Sequence, residues 1–569
     1  MRIPWTLPNL LGILRTEFDG YSGQGLRQDV LAGVTVAAVA LPLALAFGVA
    51  SGATAAAGLV TAILAGVLIG GLGGLGFQIS GPTGAMSAVL IVLASRYGLE
   101  GMWTAGLLAG MFILLMGIFN LGQIINFIPS SVIAGFTSGI ALIIFIGQID
   151  NLLGIHTEAS ESAIVKLTQY FQFGYAPNWA AVGLSLLVIA IMVLWPRRFN
   201  VRFPGSLLGL IVATAATLLF HLDVNPIGTI PQTILLDDRL LPATILWDQL
   251  GELVVPALSI AALGSIESLL CGAVAGRMTG TKLAASQELI AQGIGNIIIP
   301  FFGGVPATAA IARTSVAIKS GAHTRIVSLV HSGILLLIVL ALAPVIAQVP
   351  LAALAGVLVV TSWRMNDWHE IRAIFGQRFK SAMLTFMVTL AATVALDLTQ
   401  AVVIGVGLAA VIFLVQISQA RVILAPVSLD KMRDQGYQMR SDGSRITVVY
   451  VIGPLFFGTI NSFNTALEQL NGTEDVILSL RTVPLLDTTG LGAIQDLIGW
   501  FEQDGRRIYL SGLNQQVRSY LDRSGLSQRL GEDRIFWDAH EAIIAADRFR
   551  AGDPVAPRRL VDPGNTVAS

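Results

Sequence analysis

The segment Gln78-Ile79-Ser80-Gly81-Pro82-Thr83-Gly84 decides the fold, because it interrupts an apolar run just before the helix-forming stretch 85–95. A second segment, Gly303-Gly304-Val305-Pro306-Ala307-Thr308, precedes the stretch 309–318 in the same way. Proline lacks an N–H group and fits the first turn of a helix, whereas glycine permits the extended approach before it. Each segment therefore predicts a short extended stretch followed by a half-helix that starts near the middle of a bilayer.

Apolar runs of membrane-spanning length surround both segments. Of the 569 residues, 54% are hydrophobic and 12% charged, and the mean hydropathy is +0.75; a soluble protein carries about twice that charged fraction. Because a bilayer core needs about 20 helical residues to cross, we interpret fourteen runs as membrane segments: 30–50, 57–75, 79–97, 102–122, 131–149, 178–196, 205–222, 253–276, 286–302, 306–320, 326–348, 351–363, 381–397 and 399–419. The interrupted segments are the third and tenth runs, which predicts two seven-segment halves of opposite topology.

Basic residues predict the orientation, since cytoplasmic loops carry an excess of lysine and arginine. With the N-terminus in the cytoplasm, the inside loops and span ends hold Arg197, Arg198, Arg202, Arg277, Lys282, Lys319, Arg325, Arg364, Arg372, Arg378 and Lys380. The outside loops hold only Arg96, Lys166 and Arg239. We therefore expect a multi-pass protein of the cell (inner) membrane with both termini cytoplasmic.

Charges become frequent after about residue 420, and the apolar runs shrink to strand length. Strands expected at 446–452, 475–480 and 507–513 alternate with helices at 461–470, 490–503 and 515–522, which predicts a small α/β domain. We expect a cytosolic N-terminal segment (1–28), a transmembrane domain (29–420), the α/β domain (440–550) and a disordered tail (551–569).

The two half-helix starts face the middle of the membrane from opposite sides. Their free N–H groups and positive dipole ends then converge, which favours an anion. The predicted substrate site comprises Gly81, Pro82, Thr83, Gly84, Ala307 and Thr308, with Phe47 after Leu41-Pro42 in the first run. Two alternatives stay open: both breaks could be ordinary proline kinks, and Phe47 could pack against lipid or the core.

Two ionisable residues lie within membrane runs, where charge is costly and by default indicates function. Glu267 is in the eighth run and Arg313 is five residues after Thr308. Arg313 could add positive potential to the site, and Glu267 could carry a proton. The alternative is that the two residues only neutralise each other.

Several strings together resemble the sulfate permease (SulP) family: Gly264–Lys282, Gln287–Asn296, Ser80-Gly81-Pro82 and Ile311-Ala312-Arg313-Thr314. The resemblance covers residues 29 to about 545. It implies a core domain (runs 1–4 and 8–11) that moves against a gate domain (runs 5–7 and 12–14), a cytosolic STAS domain and a homodimer. It also implies a substrate held between the two half-helix N-termini by Phe47, Thr83, Ala312 and Arg313. A glutamine of eukaryotic members is Leu43 here.

The family carries several small anions, and the second-half string looks closest to bacterial C4-dicarboxylate members. The first run looks equally like sodium-dependent bicarbonate members, which have Asp and Thr where this chain has Glu267 and Cys271. A thiol is a poor ligand for Na⁺, so we favour proton coupling through Glu267. The prediction is proton-coupled uptake by alternating access; sodium- or proton-linked transport of bicarbonate or sulfate is the alternative.

Pro484-Leu485-Leu486-Asp487-Thr488-Thr489-Gly490 resembles the STAS signature, whose Ser or Thr is phosphorylated in soluble relatives. Thr488 or Thr489 could regulate binding of a cytosolic partner, or the loop could simply cap a helix from Gly490. An anion channel and a recruiting scaffold are the other classes considered. A net charge of −1, one cysteine and scattered histidines give no sign of nucleic-acid binding, a metal, a cofactor or an enzyme.

Overall fold

The computed structural model describes residues 10–122, 129–155, 157, 163–173, 176–196, 203–396, 398–418, 421–441, 443, 445–470 and 473–553. Arg197, Arg198, Arg202 and most of the predicted tail (554–569) lie outside these residues. The chain divides into two compact units, 1–409 and 410–569.

The first unit is helical. Its helices in chain order are Leu10–Glu17 (α1), Gly23–Ala50 (α2), Ala55–Leu72 (α3), Gly84–Ile118 (α4), Ser130–Gly147 (α5), Ile149–Leu153 (α6), Ala163–Phe173 (α7), Trp179–Leu194 (α8), Gly205–Leu219 (α9), Leu250–Thr279 (α10), Ala285–Ile298 (α11), Ile311–Lys319 (α12), Ile326–Ile346 (α13), Leu351–Met365 (α14), Trp368–Gly376 (α15), Lys380–Ala395 (α16) and Leu398–Ile417 (α17), the last of which reaches into the second unit. Seven described helices are long and apolar enough to span a membrane, and four shorter ones are also apolar.

Every predicted run contains one of these helices or part of one. The runs 79–97 and 102–122 share α4, which bends at Gly98, where φ is 69° and ψ is −176°. A positive φ is readily adopted by glycine alone, so Gly98 divides one long helix into two membrane segments. The structure thus has two helical segments that meet at Gly98, and they correspond to the two predicted runs.

The two interrupted segments meet as a two-stranded antiparallel ladder. Ser80–Gly81 (β1) pairs with Thr308–Ala309 (β2), with Ser80 opposite Ala309 and Gly81 opposite Thr308. The second half-helix consequently begins at Ile311 rather than at the expected residue 309, because Thr308 and Ala309 are extended. The ladder joins the two halves at their matched breaks.

Close helix contacts in the first unit use small residues. At the crossing of α2 and α3, a methyl group on Gly58 would lie 2.9 Å from the Gly48 Cα atom and would collide with the Ala44 carbonyl oxygen. Small residues allow membrane helices to approach closely and gain packing energy. This crossing places the end of α2, which carries Phe47, beside the first helix start.

The second unit is an α/β domain, as predicted. Its strands are Arg421–Pro426 (β3), Ile446–Ile452 (β4), Asp475–Thr482 (β5), Arg507–Ser511 (β6) and Ile535–Phe536 (β7), and its helices are Leu429–Asp434 (α18), Ile460–Leu467 (α19), Thr488–Gln503 (α20), Gln515–Arg523 (α21), Leu526–Leu530 (α22) and Ala539–Arg550 (α23). The sheet order is β3-β4-β5-β6-β7, with β3 antiparallel and the others parallel.

Both faces of this sheet are covered. Val476, Leu478 and Leu480 of β5 belong to the core beneath α19 to α22, whereas Ile477 belongs to the core beneath α23. Side chains alternate between the faces of a strand, so one buried strand serves both layers. The domain resembles other parallel α/β folds in having helices on each face.

Candidate functional site

The two half-helix starts share one carboxylate. The hydroxyl of Thr83, which precedes α4, donates to Glu267 Oε2 at 2.9 Å, and the hydroxyl of Thr308 donates to the same oxygen at 2.6 Å. The two hydroxyl oxygens lie 3.1 Å apart. In the described part of the chain, Glu267 Oε1 receives no hydrogen bond. Glu267 on α10 therefore connects the breaks of both halves through a single oxygen atom.

The helix starts differ in how their backbone N–H groups are used. Thr83 caps α4 by accepting from the Met86 N–H at 3.4 Å. Ala310 precedes α12 and offers no side-chain cap, and Ile311 and Ala312 in the first turn are exposed. Uncapped N–H groups at a helix N-terminus, with the dipole behind them, form a ready site for an anion. The exposed edge of the site is thus the start of α12.

Arg313 lies behind this edge. Its side chain is 1% exposed, and its Nη2 atom donates to the Pro82 carbonyl oxygen. Nε and Nη1 have no hydrogen-bond partner, and among described residues no carboxylate oxygen lies within 4.0 Å of the guanidinium. A methyl group at Gly81 would collide with Nη1. In the described residues Glu267 and Arg313 thus form no direct ion pair, and the arginine contributes its charge from beneath the first break.

Phe47 closes one side of the first break. It is 4% exposed, so it does not face lipid. A methyl group on Gly84 would lie 2.6 Å from Ile144 Cδ1, 3.0 Å from Met365 Sδ and 3.1 Å from Phe47 Cε1. Ile144 on α5 lies in the predicted gate run 131–149, and Met365 on α14 lies two residues beyond the predicted gate run 351–363. The start of α4 is therefore covered by one side chain each from α2, α5 and α14.

A polar network that the sequence did not predict holds the first extended stretch. Glu288 Oε1 accepts from Gln78 Nε2 at 3.2 Å and from Gln292 Nε2 at 3.0 Å, and its Oε2 accepts from the Gly74 N–H at 2.9 Å. Gln292 Nε2 also donates to Ser80 Oγ at 3.1 Å. All four side chains are buried. Buried polar groups need such partners, so α11 fixes the path of β1.

The second extended stretch has its own supports. Asn296, one turn beyond Gln292 on α11, accepts from the Ala307 N–H at 2.7 Å and donates to the Ala307 carbonyl at 2.9 Å. Thr61 on α3 accepts from the Val305 N–H at 2.7 Å and donates to the Val305 carbonyl at 2.9 Å. The Ala307 N–H is therefore already bonded, and this residue supports the site rather than offering a donor to substrate.

These supporting residues could be found only in part from the sequence. Glu288, Gln292 and Asn296 lie four residues apart and hence on one helix face, a polar stripe within an otherwise apolar run. That stripe is a signal of a buried network, whereas nothing local identifies Gly74, Gln78 and Ser80 as partners of Glu288 and Gln292, because they lie 210 to 214 residues away. Ala307, the partner of Asn296, is 11 residues away. No group of three or more metal-ligating side chains occurs in the described residues.

Thr488 and Thr489 belong to the second unit. They are the first two residues of α20 and both are exposed. The cap is Asp487, whose Oδ1 accepts from the Gly490 N–H at 2.7 Å, so the helix begins two residues before the predicted Gly490. Neither threonine side chain caps the helix, and both are exposed at its N-terminal end.

Comparison with known proteins adds to this geometry. A model described as the sulfate permease family matches residues 26–389, and one described as the STAS domain matches 440–542. The "Putative sulfate transporter YvdB" of Bacillus subtilis (strain 168) is 34% identical over 541 residues, covering 93% of this chain and 99% of that protein.

Two solved structures are similar. The transmembrane domain of a cyanobacterial bicarbonate transporter, BicA, is 30% identical with a TM-score of 0.60, covering 68% of this chain and 98% of that one. The murine anion transporter Slc26a9 in an inward-facing state is 19% identical with a TM-score of 0.82 and 94% coverage of both chains, which supports the fold. The predicted helical membrane fold with a STAS domain is confirmed. This chain belongs to the sulfate permease family: it is a multi-pass membrane anion transporter, not an enzyme, with a C-terminal STAS domain.

Proposed function

We propose that this protein takes up a small anion together with a proton, by alternating access, across the cell (inner) membrane with both termini in the cytoplasm. The anion lies between the two half-helix starts. The observation that carries the proposal is the convergence of Thr83 and Thr308 on Glu267 Oε2. A carboxyl group in contact with both breaks can link its own protonation to the binding of an anion.

The number of hydroxyl protons in the site explains how protonation of Glu267 can be linked to anion binding. A threonine hydroxyl has one proton to donate, and an ionised carboxylate can only accept. With Glu267 ionised, both hydroxyl protons are directed at Oε2. With Oε2 protonated, the carboxyl donates to one threonine, and that hydroxyl's own proton becomes available to an anion. A proton on Glu267 therefore releases a donor into the site.

Electrostatic repulsion also makes anion binding more favourable when Glu267 is protonated. An ionised Glu267 repels an anion at the helix starts, and protonation removes that charge while Arg313 and the helix dipoles remain. Because coupling between two ligands is reciprocal, a bound anion favours the proton as much as the proton favours the anion. The two then move together, which is the requirement for symport.

The positive elements and hydrogen-bond donors of the site determine the class of substrate that we propose. Its positive elements are the uncapped start of α12 and the Arg313 charge, with hydroxyl donors from two threonines. This set suits a small oxyanion or carboxylate. The predicted C4-dicarboxylate is one candidate, and bicarbonate or sulfate is a second candidate because relatives carry those names. An uptake screen with labelled succinate, fumarate, bicarbonate and sulfate distinguishes them.

Sodium coupling is the alternative ion linkage. The Cys271 thiol donates to Thr314 Oγ1 at 3.4 Å and is buried, and sulfur is a poor ligand for a hard cation such as Na⁺. This contact favours the proton. An imposed sodium gradient at constant pH is the control that separates the two.

The test uses the full-length protein in proteoliposomes with an imposed pH gradient. We expect Glu267→Gln to abolish acceleration of uptake by the gradient while counterflow of the same anion persists. Glu252→Gln, an exposed isosteric change on the same helix, is the matched control and should behave as wild type. Undiminished gradient-driven uptake in Glu267→Gln would remove this residue as the proton carrier.

We further propose a homodimer and a cytosolic partner for the STAS domain. The exposed Thr488 and Thr489 at the start of α20 are the proposed control point. Phosphate at a helix N-terminus is electrostatically favourable, so the modification would leave the helix intact and change only its surface. Crosslinking in native membranes tests the dimer, and phosphopeptide mapping tests the threonines.

A further inference from the structure

A large apolar cavity lies in the first unit, apart from the anion site. Its volume is about 670 Å³, and residues of α5, α8, α14, α15 and α16 line it. Leu142, Phe145 and Phe386 are among them, and among the described lining residues serine and asparagine are the only polar types besides two tryptophans. None of these described residues is ionisable, so the cavity is unsuited to the transported anion and suited to a hydrocarbon.

The cavity opens on the lateral surface of the protomer. Leu142 and Phe145 on α5 are each 44% exposed, and Val193 on α8 is 64% exposed. Phe386, which also lines the cavity, is 5% exposed. A pocket with exposed apolar edges and a buried apolar floor, on helices that cross a bilayer, admits an elongated apolar group from the membrane side.

One end of the cavity has the properties of a membrane interface. Trp363 and Trp368 line it with ring centroids 4.5 Å apart, and Trp368 Nε1 donates to the Trp363 carbonyl at 3.1 Å. Tryptophan is enriched where hydrocarbon meets headgroups. The polar headgroup of a lipid would therefore lie beside α15, with its chain directed along α5 and α16.

The charge at this end is positive. Between residues 363 and 380 the basic side chains are Arg364, Arg372, Arg378 and Lys380, against Asp367 and Glu370. Arg372, Arg378 and Lys380 are exposed. Each basic residue near the surface of an anionic leaflet strengthens binding about fivefold. We propose that this cavity binds one acyl chain of an anionic phospholipid, whose headgroup is held by the basic residues around α15.

A second copy of this chain fits the cavity less well. A stable protein interface buries about 800 Å² on each partner, whereas this feature is a concave pocket within the size range of small-molecule sites. A single chain of methylene groups fills such a space without a partner protein. The two remaining occupants, a second copy and unspecific surrounding lipid, are distinguishable outcomes of the test.

The bound chain would act on the gate. Helix α5 carries Phe145 in the cavity and Ile144 against Gly84, and α14 carries Trp363 in the cavity and Met365 against Gly84. Side chains in packed interiors have little freedom to move independently. An acyl chain between these helices therefore influences the two residues that cover the start of α4, so the lipid is a regulator of gating.

The test uses the purified full-length protein in detergent with phosphatidylglycerol that carries a diazirine in one acyl chain. We expect adducts to concentrate on α5, α14 and α16 residues that line the cavity. Val193→Trp fills the mouth and should lower this labelling about tenfold, the effect of losing roughly two methylene contacts. Leu186→Trp, at an exposed position of α8 that does not line the cavity, should label as wild type.

Headgroup selectivity is tested by competition. Unlabelled phosphatidylglycerol should compete at least fivefold better than phosphatidylcholine, and the double variant Arg372→Ala/Lys380→Ala should abolish this preference. Ala141→Phe, a change inside the cavity, replaces Val193→Trp if that variant does not fold, and it should lower the labelling in the same way. Labelling spread evenly over all lipid-facing helices, equal labelling of Val193→Trp and Leu186→Trp, or crosslinks between protomers at the cavity would each overturn the proposal.

Discussion

The charge of Glu267 should set the affinity for the anion. The Thr308 hydroxyl lies 2.6 Å from Glu267 Oε2, and an anion bound to the same hydroxyl would add about 2.8 Å. The two charges are then at most about 5.4 Å apart. At an effective dielectric constant of about 20 their repulsion is about 3 kcal/mol, which corresponds to an affinity change on the order of a hundredfold.

The perturbation is Glu267→Gln, which removes the charge and keeps the shape. In the wild type the carboxyl is neutral at low pH and ionised at high pH, so anion affinity should be highest in acid. It should then fall by up to about a hundredfold as the pH rises through the titration of Glu267. The variant should keep an affinity close to that of the acid form at every pH.

The assay is equilibrium binding of a labelled anion to the purified full-length protein. Sulfate is preferred because its own charge is constant over the range; another anion is used only where its charge is also constant. Glu252→Gln should follow the wild-type curve, since this exposed residue on the same helix is remote in sequence from both breaks. A Glu267→Gln protein that retains the wild-type pH dependence would refute the reasoning.

Three further outcomes follow from the packing. Asn296→Ala leaves the buried N–H and carbonyl of Ala307 without partners. It should lower the free energy of unfolding by about 3 kcal/mol, measured by thermal unfolding in detergent. An unchanged unfolding midpoint would show that these two hydrogen bonds do not stabilise the protein. Gly58→Ala places a methyl group against the Ala44 carbonyl and should destabilise the protein by more than about 2 kcal/mol, while Gly333→Ala, with open space, should be neutral or stabilising. In the STAS domain, burial acts to raise the pKa of Asp547, but hydrogen bonds from Arg440, Ser441 and Tyr437 lower it below its usual value. A carboxyl group with a lowered pKa stabilises the fold above about pH 4 and loses that effect as the pH falls. Amide exchange at 437–441, corrected for its intrinsic rate, should therefore speed up on acidification, and Asp547→Asn should show fast exchange at neutral pH too; slow exchange in the variant would contradict this.

The membrane helices could be predicted because bilayer thickness fixes the length of an apolar run. The local structure of the two interrupted segments, 78–84 and 303–308, could not be predicted in the same way. A two-residue strand has no periodicity to detect, so the pairing of Ser80–Gly81 with Thr308–Ala309 left no mark in the sequence. The second half-helix was accordingly expected two residues too early.

Within the candidate site, local rules and long-range contacts contributed differently. Pro82 and Pro306 indicated helix starts because proline and glycine restrict the backbone locally. The contacts of Thr83 with Glu267 and Thr308 join residues 184 and 225 positions apart, and no local pattern specifies them. Likewise, the sequence placed Arg313 near the site but could not show that its guanidinium turns to the Pro82 carbonyl.

The ladder between β1 and β2 is made by main-chain atoms, and its supports come from α3 and α11 rather than from groups exposed at the anion's edge. In the proposed function, main-chain atoms therefore set the ladder, and side chains at the edge of the site set the choice of anion. We expect exchanges of the side chains at 47, 310 or 312 to change which solute is accepted while the ladder and its supports stay intact. One main-chain framework can in this way accommodate different anions, and engineering of a new specificity should begin at those three positions.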